Sequence, residues 1–91
     1  MLFLVEGFFS RERWESCRKP LQQRRKRADV KVILEMMVPG SYGFTGVYES
    51  KDATNLYKYL SRLQGLEVRA VMPALHLDNV LIIDEASEKK T

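Results

Sequence analysis

The sequence predicts an α+β fold with the element order β-α-β-β-α-β around a four-stranded antiparallel sheet. Three observations carry this. Short apolar runs rich in β-branched and aromatic residues alternate with two stretches whose apolar residues recur at helical spacing. Turn and cap residues separate them. The chain has 91 residues, the size of one domain, expected over residues 1–84 with a flexible polar tail at 85–91.

Leu2 to Phe9 is the first strand, apolar on both of its alternating faces. Ser10 is placed to cap the helix that follows. Trp14, Cys17, Leu21 and Ala28 then form one narrow apolar stripe along a helix from Arg11 to about Ala28. Pro20 interrupts it, because proline lacks an N–H and clashes with the carbonyl four residues back. A kink, or two short helices meeting near Lys19-Pro20, is expected. Val30 to Val38 is the second strand, Pro39-Gly40-Ser41 a turn, and Tyr42 to Glu49 the third strand, so these two strands form a hairpin. Ser50 or Asp52 caps the second helix, whose apolar face is Ala53, Leu56, Tyr57, Leu60 and Leu63, with Gly65 ending it. Leu66 to about Leu75 is the fourth strand, and Pro73 within it suggests a sheet edge or a bulge. Val80 to Ile83 is expected as a short fifth strand near the C-terminus.

Two helices crossing between neighbouring strands cover one face of such a sheet. The other face should turn polar if it meets water, and it does not. Leu2, Leu4 and Phe8 oppose Phe3, Val5 and Phe9; Val32, Leu34 and Met36 oppose Ile33 and Met37; Val68, Ala70 and Met72 oppose Val71 and Leu75. An exposed patch of that kind exceeds what soluble monomers tolerate. A homodimer pairing sheet to sheet is expected, with the fifth strand reaching the partner; a monomer is the alternative. Cys17 is the only cysteine, so neither an internal disulfide nor a cysteine-based zinc site is available to support a small core, and a lone thiol suits a reducing compartment.

The net charge is +3, unevenly spread. Residues 11–27 carry Arg11, Arg13, Arg18, Lys19, Arg24, Arg25, Lys26 and Arg27 against Glu12 and Glu15, leaving the remainder slightly acidic. No apolar run approaches the roughly 20 residues of a membrane span. The apolar start is interrupted by Glu6 and has neither a basic lead nor a small-residue cleavage site. A soluble cytoplasmic protein with no membrane partner is expected.

With the opening Met1-Leu2-Phe3-Leu4-Val5, the strand Gly43-Phe44-Thr45-Gly46-Val47-Tyr48-Glu49, then Leu56-Tyr57-Lys58-Tyr59-Leu60 and Glu67-Val68-Arg69-Ala70-Val71-Met72-Pro73-Ala74-Leu75, the chain resembles the dimeric α+β barrel superfamily over about residues 1–76. That superfamily includes muconolactone isomerase and the antibiotic-biosynthesis monooxygenases. The resemblance implies a ferredoxin-like chain that pairs as a dimeric barrel, with a cleft between each sheet and its helices. It does not imply one reaction; an activity, if there is one, is expected to be cofactor-independent and isomerase- or monooxygenase-like. It carries over no catalytic residue, and the long basic first helix departs from the pattern.

Candidate catalytic residues are Glu6, Glu35, Arg69 and His76. The first three interrupt apolar strands. By alternation Glu6 shares a face with Leu4 and Phe8, and Glu35 with Ile33 and Met37. A carboxyl group in an apolar cleft can move protons, although an ion pair of Arg69 with either glutamate would explain the same pattern. His76 is the single histidine, too few for a multi-histidine metal site but a possible base. Trp14, Tyr42, Tyr48, Tyr57 and Tyr59 are candidate walls for an aromatic ligand. No dinucleotide, phosphate-loop, nucleophile-elbow or zinc-protease motif is present, so neither a cofactor nor a metal is expected. The rival expectation is nucleic-acid binding through the basic helix 11–27, because the same element order describes RNA-recognition motifs.

Overall fold

A computed structural model describes residues 1–24 and 29–86 in full and the backbone of residues 87 and 88. The elements follow as β1 (Leu2–Phe9), α1 (Trp14–Gln22), β2 (Lys31–Val38), β3 (Gly43–Glu49), α2 (Ala53–Leu60), β4 (Leu66–Ala74) and α3 (Leu77–Glu88). The four strands form one antiparallel sheet in the order β2-β3-β1-β4. This is the ferredoxin-like arrangement, and it places the Pro73 strand at an edge, where a missing N–H costs no ladder bond.

The helices cover the face carrying Phe3, Val5 and Phe9 of β1 and Phe44 and Tyr48 of β3. Leu56, Tyr59, Leu60 and Leu63 come down on it from the second helix and the turn after it, and Cys17 and Leu21 from the first. Two irregularities in register set which residues join them. A shift between Val32 and Leu34 puts Ile33 outside the pairing, so Val32, Glu35 and Met37 share the covered face. A second shift, opposite Glu6 and Gly7, does the same at Arg69, so Val68 and Val71 both point inward. Strict alternation expected Glu35 beside Ile33 and Met37, and Val68 opposite Val71. The bulges break the period of two in the middle of each outer strand.

α1 is a single helix that runs through Pro20, where a kink or two helices were expected. It stops two residues after the proline, with Gln23 N–H bonding back to the Pro20 carbonyl at 3.1 Å. Arg13 occupies the N-cap without a side-chain bond, and Ser10 instead opens the preceding turn through its carbonyl, which accepts from Arg13 N–H. The helical expectation for residues 25–28, Ala28 included, lies outside the described residues. Asp52 caps α2 by accepting from Asn55 N–H at 2.8 Å. That helix ends at Leu60 with Ser61 as its cap, so Gly65, at φ +83°, turns the chain into β4 rather than closing the helix.

The expected fifth strand is wrong: Val80 to Ile83 lie in α3, which also continues past residue 84 into the segment expected as a tail. A four-residue aliphatic run does not distinguish strand from buried helix. Here it is flanked by Asp78 in the first helical turn and by Asp84-Glu85-Ala86, and no strand among the described residues lies beside it to supply ladder bonds. Residues 89–91 lie outside the described residues.

Candidate functional site

On the covered face, one row of paired residues runs Glu35, Gly46, Val5 and Val71 across all four strands. Glu35 thus enters an otherwise apolar layer from the outer strand. Its side chain is 4% exposed. A buried carboxyl group needs partners, and among the described residues Tyr48, Tyr59 and Arg24 are hydrogen-bonded to it. Tyr48 O–H from β3 and Tyr59 O–H from α2 both donate to Oε2, at 2.6 and 2.8 Å. Arg24 Nε, just beyond α1, donates to Oε1 at 2.9 Å. The guanidinium is 24% exposed and also donates from Nη1 to the Leu21 carbonyl at 2.6 Å, which ties it to the end of its own helix. Strand β3, helix α2 and Arg24, two residues past the end of α1, therefore converge on one side chain of β2.

Gly46 makes this possible. It stands opposite Glu35, and the Tyr48 ring lies over it. A Cβ at position 46 would sit 2.5 Å from the Tyr48 hydroxyl and ring edge, so any larger residue would displace the phenol. Burial, and next the hydrogen bond and charge of Glu35, push both Tyr48 and Tyr59 well above the ordinary tyrosine range. Both remain neutral donors. Burial alone would lower Arg24, but its bond to Glu35 and the opposite charge outweigh that and raise it.

Beside this cluster, between α1 and the sheet, lies a cavity of about 160 Å³. Phe9, Trp14, Phe44, Met37 and Leu63 form its apolar wall, and Arg24 and Glu35 supply the charged part of its lining. The aromatic rings meet edge to face, Phe9 with Trp14 at 5.3 Å and Phe9 with Phe44 at 5.5 Å. Tyr42 extends the wall, 5.9 Å from Trp14. It does so at φ +61°, an uncommon conformation for a tyrosine, held by backbone bonds to Val38 and Phe9.

Of the four candidate catalytic residues, only Glu35 belongs to this site. Glu6 is exposed on the opposite, open sheet face. Arg69 is on that side too, over the Phe8 ring at 4.7 Å and 3.9 Å from Glu67, so its ionic partner is neither Glu6 nor Glu35. His76 is exposed between β4 and α3. Among the wall candidates, Trp14, Tyr42, Tyr48 and Tyr59 gather at the site, while Tyr57 points to solvent. Tyr59, three residues beyond Leu56 and four before Leu63, was the better tyrosine by helical spacing. Arg24 was hidden in the basic run, where nothing separates one inward-turned arginine from its neighbours. Among the described residues no three metal-ligating side chains come together, and no helix is long and apolar enough to cross a membrane.

No family model and no curated protein sequence matches the chain. It is similar in structure to the protein SCO4226 from Streptomyces coelicolor A3(2), with a TM-score of 0.55 at 11% identity, over 84% of this chain and 98% of that one. At that identity the likeness concerns fold alone. The chain is a small α+β protein with the ferredoxin-like fold.

Proposed function

We propose that this protein is a homodimer of the dimeric α+β barrel type that binds, or transforms without a cofactor, a small aromatic molecule in the cleft beneath α1. The observation that carries the ligand is the makeup of the cavity: an aromatic and aliphatic wall with one charged pair, Arg24 and Glu35. Small-molecule sites are typically apolar with a few convergent polar groups. A volume of about 160 Å³ matches one benzene-sized ring, since a cavity of about 150 Å³ accommodates benzene. Arg24 offers donors and Glu35 an acceptor, which suits a ring bearing a hydroxyl or keto oxygen.

The dimer is supported by the open face. Leu34, Val47, Leu4 and Met72 pair in a continuous apolar row across all four strands, with Met36 and Val38 exposed beside it. Nucleic-acid binding has weaker support. Arg24 turns inward to Glu35 and Arg18 pairs with Glu15, while Arg25, Lys26 and Arg27 lie outside the described residues.

Trp14 is the only tryptophan and stands in the cavity wall, so its fluorescence reports occupancy. Titration with phenol and with 4-hydroxyphenyl ketones should change it saturably in the wild type and far less in Glu35→Gln. A linear, unsaturable response identical in both proteins refutes the ligand site. Salt-sensitive binding of an oligonucleotide with no phenol response would favour the rival. Light scattering should give twice the chain mass, and Leu4→Lys, in the middle of the open-face row, should give the monomer; a wild-type monomer refutes the dimer.

A further inference from the structure

Helix α3 carries five large aliphatic residues among its twelve, and four of them find no cover on their own chain. Leu77, Leu81, Ile82 and Ile83 are 70%, 55%, 63% and 53% exposed. At about 100° per residue they fall on several sides of the axis instead of one stripe. A contiguous exposed aliphatic patch of this kind marks an interaction surface. The helix also extends the molecule: the radius of gyration is 15.9 Å, against about 12 Å for a compact domain of this length. α3 leaves β4 at the rim of the open sheet face, beside a groove of about 350 Å³ lined by Met1, Leu2, Pro73, Ala74 and Leu75. It does not fold back over that face, where Leu34, Met36, Val38 and Met72 stay exposed.

We propose that α3 is an exchanged arm that packs against the second copy of the chain, so that each protomer's α3 covers apolar surface of the other. This rests on the sheet-to-sheet dimer proposed above. Interface size favours a second copy as the occupant. Four strands about 4.8 Å apart and about 27 Å long present a face of roughly 500 Å². A stable interface takes about 800 Å² per partner. A twelve-residue helix, about 18 Å long and 10 Å wide, adds roughly 280 Å² from one half of its surface, which closes the gap. The sheet face and the arm are the two large apolar surfaces left uncovered among the described residues, they adjoin, and one two-fold axis would bury the sheet faces against each other and bring each arm onto the partner beside them.

The test compares three full-length proteins by sedimentation: wild type, the sheet-face variant Leu4→Lys, and the arm variant Leu81→Lys/Ile82→Lys. Because α3 rests on little of its own chain, the arm variant should keep the wild-type circular dichroism and thermal midpoint of the separated monomer. Its dimer dissociation constant should rise roughly tenfold or more, as expected for anchors at an interface. An unchanged constant in the arm variant, with Leu4→Lys dissociated, overturns the exchanged arm and leaves the sheet dimer standing. A monomeric wild type overturns both. If the arm variant dimerises normally but loses wild-type binding to phosphatidylcholine–phosphatidylglycerol vesicles, α3 is a lipid-seated helix and the proposal fails.

Discussion

The Tyr48 hydroxyl reaches Glu35 Oε2 at 2.6 Å by passing over a glycine, Gly46, that is the cross-strand partner of the same glutamate. The phenol, the glycine and the carboxyl group form one steric unit. Gly46→Ala should therefore act mainly through Tyr48. Both Gly46→Ala and Tyr48→Phe should lower unfolding free energy by about 1.5–3 kcal/mol, the usual value of a hydrogen bond to a charged group. The double variant should lose less than the sum, because both changes remove the same bond. Urea unfolding of the three variants measures this, and full additivity would mean that the ring does not depend on the glycine.

Arg24 and Glu35 are an ion pair with one buried and one partly exposed member. Removing one partner of a fully buried pair costs about 3–5 kcal/mol. Arg24→Gln should cost less, about 1–3 kcal/mol, because water reaches the guanidinium side and screens the charge. Arg24→Lys should recover only part of that, since an ammonium group cannot bond both Glu35 and the Leu21 carbonyl with a planar fork. Denaturant midpoints at low and high salt would check both, and a full rescue by lysine would contradict the bidentate role.

The buried phenols set an alkaline limit on stability. Tyr48 and Tyr59 are held above their unfolded value of about 10. Above that pH the unfolded chain releases protons that the folded protein keeps. Their contribution is whole below about pH 10 and is lost as pH rises toward the folded values, by up to about 1.4 kcal/mol per pH unit for each tyrosine. In an alkaline titration, tyrosinate absorbance from these two residues should rise together with the loss of structure. The Tyr48→Phe/Tyr59→Phe variant should lack that coincident component. Its persistence would show that other tyrosines carry it.

Two glycines offer a controlled comparison. Gly40 and Gly65 both have positive φ, at +92° and +83°. A Cβ at Gly40 would meet nothing within 4 Å, whereas one at Gly65 would lie 2.5 Å from Cys17 Sγ in the core. Gly40→Ala should cost only the backbone term, about 1–2 kcal/mol. Gly65→Ala should cost about 1–3 kcal/mol more through overpacking, and Cys17→Ala should relieve that excess. Thermal melts of the single and double variants read the difference directly.

Much of this architecture was legible in residue order. The two helices, the hairpin and four strands follow from hydrophobic period and turn residues, because those are local properties of the chain. Asp52 was readable as a cap for the same reason. The apolar character of both sheet faces was equally visible, since alternation assigns every strand residue to a side. What failed in the linear pattern were interruptions of period. A bulge at Ile33 and another at Arg69 are decided by how neighbouring strands must twist to stay paired.

The sequence by itself determined the order of the first six elements, the apolar core strands and the presence of a glutamate within them. Only the tertiary structure decided that Glu35 meets Tyr48, Tyr59 and Arg24, residues 13, 24 and 11 positions away along the chain. It also decided that Glu6, Arg69 and His76 stay outside the site, and that Val80 to Ile83 coil into a helix. A carboxyl group in an apolar strand states a need for partners, but which donors satisfy it depends on the strand order and helix placement that bring distant segments to the same few ångströms.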